Sequence, residues 1–373
     1  MSAGPAGPRT ARLINDRRAY DLLRERGPLT RAELRTLTGL SRPSVGDLVA
    51  RLSAQGLITV VGESGSERRG PNASLYGVIA DRSYAAGVEV RASTVSAVVV
   101  DMAGHEVGRA ATEQTEAVSP DRLVAGTIDR AARRAGVPRE KVHAIVVGTP
   151  GLVDPRSGDV SYVSSLPRWH ANLLPGLRQE FDVPVMVENE VNLVGLAEQR
   201  LGAAAGWRTF ALVWFGTGVG SAIVLDGRLH RGVAGGAGEV AYAPVNAKTT
   251  AQDAVGERTV RELADRCGLP PGGPLADVVE AGASDPRFVD GLVEAVSLVA
   301  RTVCAVLDPG LVVLAGPVGR AGGAWLANGV GERMSNQLPS PISVLTTELE
   351  GNPVVRGAML VALDTIHDRA FAT

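Results

Sequence analysis

Thiols are almost missing from this chain of 373 residues: Cys267 and Cys304 are its two cysteines. Two thiols so far apart support neither a disulfide scaffold nor a cysteine metal cluster, and both read as small buried hydrophobes in a reduced cytoplasm. Lysine is nearly absent as well, since Lys141 and Lys248 are the only lysines among 38 basic residues; the bias reflects genome base composition rather than function. No apolar run approaches the roughly 18 residues of a membrane helix, so no membrane partner is expected. Residues 1–9, with Gly4, Pro5, Gly7 and Pro8 but no apolar core, read as a disordered lead and not a signal peptide. Net charge is also small, −2, but it is unevenly spread: residues 1–80 carry 12 arginines against 7 acidic residues, and the remainder 26 basic against 33 acidic. Affinity for nucleic acid is therefore expected in the first segment, and should fall with salt as phosphate contacts release counterions. Glycine is abundant, 45 residues, and 45% of the chain is apolar, enough for two or three cored units with many tight loops.

Residues 30–55 predict two short helices joined by a tight turn. Thr30 with Glu33 forms a capping box, Leu34 and Leu37 supply an apolar stripe, Gly39 breaks the helix and Ser41 caps the next. The second helix spaces Val45, Leu48, Val49 and Leu52 on one buried face, and Pro43 is harmless so near its start. Ser41, Arg42, Ser44, Asp47 and Arg51 lie at its N-terminal end and opposite face, where a helix-turn-helix reaches base edges. Residues 57–61 and 75–79 read as strands around a turn at 62–70. They make a wing whose tip, Glu67, Arg68, Arg69, Gly70 and Pro71, would follow phosphates or enter a minor groove. The alternative is a dimerisation surface with ordinary solvated arginines.

From residue 84 short β runs alternate with helical stretches: strands at 85–89, 94–101 and 106–113, a helix at 120–135, a strand at 143–147, a helix at 175–181 and a strand at 183–187 that delivers Glu188, Asn189 and Glu190. Sites in α/β sheets form at such strand ends. The opening then repeats, with a strand at 210–215, a turn at 216–220, a return at 221–225 and a later strand at 311–315. A final helix at 354–369 is expected to pack back on the first lobe. The fold class is α/β, a winged helix-turn-helix at residues 10–80 followed by a two-lobed domain with the internal symmetry of actin-like phosphotransferases.

Four ordered motifs carry a resemblance: Gly148-Thr149-Pro150-Gly151, Glu188-Asn189-Glu190, Gly216-Thr217-Gly218-Val219-Gly220 and Ala237-Gly238-Glu239-Val240. Behind a winged helix, they resemble the ROK family of repressors, open reading frames and kinases over nearly the whole chain. The resemblance implies a hexokinase-like (RNase H-like) ligand domain, lobe I at 84–190 plus 354–373 and lobe II at 191–353, in homodimers or homotetramers. By the same resemblance Asn189 and Glu239 hydrogen-bond sugar hydroxyls, and Gly216, Thr217, Gly218 and Gly220 border the nucleotide.

A sugar kinase needs two phosphate-admitting glycine loops, a carboxylate base and magnesium. The family's first loop corresponds to Glu89, Val90, Arg91, Ala92 and Ser93, without its glycines. Arg91 either binds phosphate by charge or blocks the loop. The family's catalytic Asp falls on Glu190, one methylene longer; a shift of about 1 Å at a reacting group costs roughly a hundredfold in rate. Glu190 either contacts ligand or caps the helix at 191–201. The second loop is either a nucleotide border or a plain hairpin turn. Tyr242 replaces the histidine of the family's zinc module and no cysteine lies between Glu239 and Cys267, so no metal and no cofactor are expected. Glu257 is a loose match to that module's trailing glutamate, and His170 beside Trp169 either borders the expected cleft or is a surface residue outside the site.

These features predict a DNA-binding regulator, most simply a repressor, that reads a double-stranded operator and senses a sugar without catalysis. A sugar kinase with a regulatory head, and a DNA-binding scaffold indifferent to sugar, are the alternatives.

Overall fold

The computed structural model describes residues 8–64, 73–115, 117–161 and 173–372. Helix α1 (Pro8–Arg26) opens it and begins inside the segment read as a disordered lead. Its sequence is largely polar and turns Ala19, Tyr20 and Leu23 inward, so no strong apolar period announces it. Strand β1 (Leu29–Thr30) leads into α2 (Arg31–Thr38) through the expected capping box, with the Glu33 carboxylate accepting the Thr30 amide at 2.7 Å and Thr30 Oγ1 accepting the Glu33 amide at 3.2 Å. Gly39 closes α2 in the left-handed region, and Ser41 caps α3 (Arg42–Ala54), which buries Val45, Leu48, Val49 and Leu52. Each such side chain contributes roughly 1.5–3 kcal/mol by leaving water.

The wing is β2 (Ile58–Ser64) paired antiparallel with β3 (Ala73–Val78), which also pairs with β1. β2 runs further than the sequence suggests. Gly62, expected to start the turn, stays in the ladder opposite Leu75, because a register shift between Val60 and Gly62 absorbs one residue as a bulge. The expected basic tip, including Arg68 and Arg69, lies outside the described residues.

The large domain contains the same sheet twice. In the first, β4 (Tyr84–Val90), β5 (Thr94–Asp101) and β6 (Glu106–Glu113) form an antiparallel meander covered by α4 (Pro120–Arg134). β7 (Val142–Thr149) joins parallel to β4, a small hairpin of β8 (Leu152–Val153) and β9 (Val160–Ser161) follows, and after α5 (Leu173–Glu180) β10 (Val185–Asn189) adds parallel to β7. β10 is displaced by two residues from the expected strand and carries Glu188 and Asn189 within the ladder, beside Gly148 and Thr149. Helix α6 (Glu190–Leu201) starts where it ends.

In the second sheet, β11 (Phe210–Phe215), β12 (Val219–Leu225) and β13 (Arg228–Leu229) form the meander. Helices α7 (Ala251–Val255), α8 (Glu257–Arg266), α9 (Leu275–Gly282) and α10 (Pro286–Leu307) precede β14 (Leu311–Ala315), then α11 (Gly316–Ser335) and β15 (Ser343–Thr346). The strand order β10-β7-β4-β5-β6 matches β15-β14-β11-β12-β13 position for position. This is the two-lobed, actin-like repeat that the sequence predicts. No helix among the described residues is long and apolar enough to cross a membrane.

Helix α12 (Pro353–Ala372) returns to the first lobe and packs on β4 and α6. Its crossing with α6 is close because Gly357 has no side chain: a Cβ there would sit 2.0 Å from the Leu193 carbonyl oxygen. Arg200 of α6 and Asp364 of α12 form an ion pair along the same contact. The far end of α12 meets the winged helix. Buried Tyr20 of α1 lies edge-on to His367 and Phe371, with centroids 5.2 and 5.5 Å away. The Tyr20 hydroxyl and His367 Nε2 both reach the Met102 carbonyl, at 3.3 and 2.9 Å. Burial lowers the His367 pKa, so the ring bonds Met102 within the large domain and meets Tyr20 of the winged helix as an uncharged aromatic.

Candidate nucleic-acid interface and ligand cleft

The start of α3, where the sequence places base-reading residues, is exposed. Ser41 Oγ accepts the Ser44 amide at 3.3 Å and lies 2.9 Å from Ser44 Oγ, so the two hydroxyls are engaged with each other while Arg42 projects freely. Beside them runs a groove of about 700 Å³ lined by Arg31, Arg35, Arg42, Gly46, Ser74 and Tyr76 among others. Arg31 stacks over the Tyr76 ring at 5.3 Å, and among the described residues no carboxylate pairs with Arg31, Arg35 or Arg42. Arg31 and Arg35 escaped the sequence reading, although the signal was there: in a helix-turn-helix the first helix crosses the phosphate backbone.

Arg51 requires a correction. It sits in the last turn of α3 and grips Asp16 of α1 with two bonds, Nε–Oδ2 at 2.9 Å and Nη2–Oδ1 at 2.6 Å. The Asp16 side chain is 6% exposed. Arg51 therefore neutralises a buried carboxylate and fixes α3 to α1, which withdraws it from the base-reading set.

The ligand-side residues converge on one cleft of about 610 Å³ between the lobes. Asn189, Glu190 and Glu239 line it together with Thr217, Gly218 and Gly220; Gly216 does not. Pro150 and Gly151 contribute from the first-lobe loop and Tyr242, 72% exposed, from its mouth. Gly220 lies within β12 rather than in a free loop. Gly238, at φ +95°, brings its backbone against Ser221, whose carbonyl oxygen would be 2.0 Å from a Cβ there; this turn presents Glu239.

Asn189 does not fit the expected role of a free sugar contact. Its Oδ1 accepts the Val191 and Asn192 amides as the N-cap of α6, and its Nδ2 donates to Gly151 O at 2.9 Å and Glu190 Oε2 at 3.0 Å. It positions Glu190. That residue is the first of α6 and also lines the cleft, so the two readings of Glu190 coexist. Burial pushes the Glu190 carboxyl up to about 8, and repulsion from Glu239 and Glu89 adds to it. Burial raises Glu239 as well. Glu190 therefore holds its proton at neutral pH and can donate as well as accept.

Both phosphate loops are engaged from within the chain. At the first, Arg91 Nε lies 2.8 Å from the Glu89 carboxylate and Asn352 Nδ2 donates to its other oxygen. At the second, Gln252 of α7 accepts the Val219 amide at 2.9 Å and donates to Thr217 O at 3.2 Å. Sequence alone gave no sign of Gln252, because its partner loop lies 33 residues upstream. Glu257 is held by Arg261 at 2.9 Å and does not line the cleft. Buried Glu188 is clamped by Arg231 Nε at 2.6 Å, joining β10 to the segment after β13. His170 and Trp169 lie outside the described residues.

Comparison with known proteins follows the same division. The model of the ROK family matches residues 85–268 and that of the MarR family residues 21–70. The xylose repressor of Bacillus spizizenii is 25% identical over 243 residues, 62% of this chain and 61% of that protein. The chain spans about three-fifths of the length of the first curated relatives it matches. Among solved structures, a ROK family transcriptional regulator homologous to the Escherichia coli Mlc protein superposes with a TM-score of 0.74 at 20% identity, covering 97% of this chain and 98% of that one. A ROK family glucokinase from Streptomyces griseus, solved with glucose and AMPPNP, superposes with a TM-score of 0.62 at 20% identity, covering 75% of this chain and 99% of that one. The chain thus carries a ROK family domain, matched over residues 85–268, behind a MarR-like winged-helix domain matched over residues 21–70.

Proposed function

We propose that the protein is a cytoplasmic, sequence-specific DNA-binding regulator, a repressor by its likeness to the xylose repressor, whose ROK domain senses a sugar or sugar derivative without phosphorylating it. One observation carries this reading: an arginine-lined face stands on the same chain as a kinase-like cleft whose two loop positions bond within the chain, Arg91 to Glu89 and Gln252 to Val219 and Thr217. Arg42 at the start of α3 addresses bases while Arg31 and Arg35, with Arg68 and Arg69 of the wing, hold phosphates. As a homodimer or homotetramer the protein pairs its recognition helices on a pseudo-palindrome. In the cleft Glu190 and Glu239 meet sugar hydroxyls, while Thr217 and Gly218 of the loop and Gly220 of β12 border no nucleotide.

A kinase reading has one observation in its favour. Glu190, with a pKa of about 8, is in the range of a general base at neutral pH. A coupled ADP-release assay over hexoses, pentoses and N-acetylated hexosamines with Mg-ATP separates the two. The regulator reading expects no sugar-dependent ADP release; turnover that Glu190→Gln abolishes would establish the kinase.

A further inference from the structure

The junction between the winged helix and the large domain holds a second cavity, of about 220 Å³, lined by Arg82, Ser83, Met102, His143, Ile366 and Arg369 among others. Its polar groups come from three places far apart in the chain. Arg82 and Ser83 end the turn Ala80–Arg82 that leads from β3 to β4, His143 lies near the start of β7, and Arg369 lies near the end of α12. Among the described residues no carboxylate pairs with Arg82, His143 or Arg369. Neighbouring acids are engaged elsewhere, Asp368 with Arg17 at 2.8 Å and Asp101 with the Ala103 and His105 amides at 2.9 and 3.0 Å. Lys141 adds a further cation beside the turn, its Nζ donating to the Asp81 carbonyl at 3.1 Å. Partial burial and the charges of Arg369 and Arg82 lower the His143 pKa, as expected of an imidazole set among cations.

The hydrogen-bonding groups have the same bias. Ser83 Oγ and His143 Nδ1 are 2.7 Å apart. If the hydroxyl donates, the ring carries its proton on Nε2; if the ring donates, the hydroxyl proton is left over. Either way the pair keeps one donor beyond the bond it shares, and the guanidinium groups can only donate. The Met102 carbonyl already takes Tyr20 and His367. The cavity therefore has donors and positive charge in excess, and its volume is below the roughly 300–1,000 Å³ of pockets for drug-sized ligands. Its occupant is small and anionic.

We propose that Arg82, Arg369 and the Ser83–His143 pair form a site for a small phosphate-class oxyanion, either inorganic phosphate or the phosphoryl group of a small metabolite, at the junction of the two domains. Guanidinium groups suit it because each can give a phosphate two parallel N–H bonds. A DNA phosphate suits it less. Arg82 Nη1 donates to the carbonyl of Gln55, the C-cap of α3, and 13 helical residues at about 1.5 Å each put roughly 20 Å between that end and Ser41, where the reading end begins. The same bond ties the site to the reading head, since an anion that holds Arg82 competes with the end of α3 for its guanidinium. The site stands apart from the interlobe cleft and from the sugar-sensing reading.

The test titrates the full chain calorimetrically with inorganic phosphate and with glycerol 3-phosphate, at fixed ionic strength in buffer free of phosphate and sulfate. At least one should bind, with one site per chain. Arg369→Gln removes no bond made among the described residues and should weaken binding at least tenfold, the size of one charge-assisted hydrogen bond. Arg266→Gln, at an exposed arginine of α8, should not. In imidazole NMR spectra phosphate should shift His143, assigned through His143→Gln, and leave His230 of the second lobe in place. Tighter binding of glycerol 3-phosphate assigns the site to a metabolite, and tighter binding of inorganic phosphate to the free ion. Binding of neither anion, or equal binding by Arg369→Gln and wild type, would overturn the site. So would a loss of affinity for random-sequence duplex DNA in Arg369→Gln while free phosphate goes unbound, because the cluster would then be a DNA-backbone contact.

Discussion

Replacing Arg51 by alanine should loosen the whole winged helix rather than alter its base preference. The structure supplies the magnitude. Both Asp16 carboxylate oxygens are engaged by Arg51, at 2.9 and 2.6 Å, and the Asp16 side chain is 6% exposed whereas that of Arg51 is 38% exposed. Removing one partner of a fully buried pair costs about 3–5 kcal/mol, because the remaining charge is stranded, and breaking a solvated pair costs about 0.2–1 kcal/mol. One buried and one half-exposed partner place Arg51→Ala near 2 kcal/mol, about thirtyfold in a local opening equilibrium. The tryptophans lie outside residues 8–64, so their fluorescence would miss the change. Hydrogen exchange of peptides covering α1 and α3 reports it directly, as exchange about thirtyfold faster with α10 and β14 unaffected. Asp16→Asn should loosen the same peptides, although Asp16 is far from any base-reading position. If Asp16→Asn left them protected while Arg51→Ala changed only the preferred DNA sequence, Arg51 would be a reader after all.

Two further predictions concern the ligand domain. Glu190 has a folded pKa of about 8 against an ordinary value near 4.5, so the folded state holds the proton more tightly. Stability associated with this group is complete below about pH 4.5 and drains away as pH rises towards 8. Glu190→Gln removes that loss, and in urea unfolding from pH 5 to 9 it should gain on wild type by up to about 4 kcal/mol at the alkaline end; parallel pH profiles would refute the assignment. Gly357→Ala would place a methyl group 2.0 Å from the Leu193 carbonyl oxygen, forcing α12 from α6. Overpacking of this kind costs about 1–3 kcal/mol or more, seen as a melting temperature several degrees lower, and an unchanged melting temperature would mean that the two helices slide freely.

What the sequence discloses is mainly what is local. The Thr30–Glu33 box, the Ser41 cap and the buried face of α3 depend on residues three or four apart, and they occur where the spacing puts them. The two sheets are legible because their central strands β4, β5, β7, β11 and β14 are rich in Val and Ala and buried on both faces. Helix α1 is not, since its sequence is polar almost throughout. The extra length of β2 depends on a bulge that no pattern of alternation foretells.

In the cleft, Asn189, Glu190 and Glu239 were found through family motifs, but their partners were not. Asn189 looks available in sequence and is fully occupied in space by Gly151, Glu190 and the start of α6. Arg51 looks like a reader until Asp16, 35 residues earlier, is folded against it. Gln252 has no motif to mark it, because its significance lies in hydrogen bonds from α7 to Thr217 and Val219, more than 30 residues upstream.

The central claim, a DNA-reading head governed by a sugar-binding ROK domain, is tested most directly by selecting bound sequences from a random DNA pool with the full chain, then titrating the enriched duplex by fluorescence anisotropy with and without each uncharged sugar. The account predicts an enriched pseudo-palindrome with half-sites about 10 base pairs apart, or a multiple of that spacing. Its affinity should fall with salt and shift with one sugar. Recovery of no sequence above background, or an enriched duplex whose affinity no sugar changes, would contradict it.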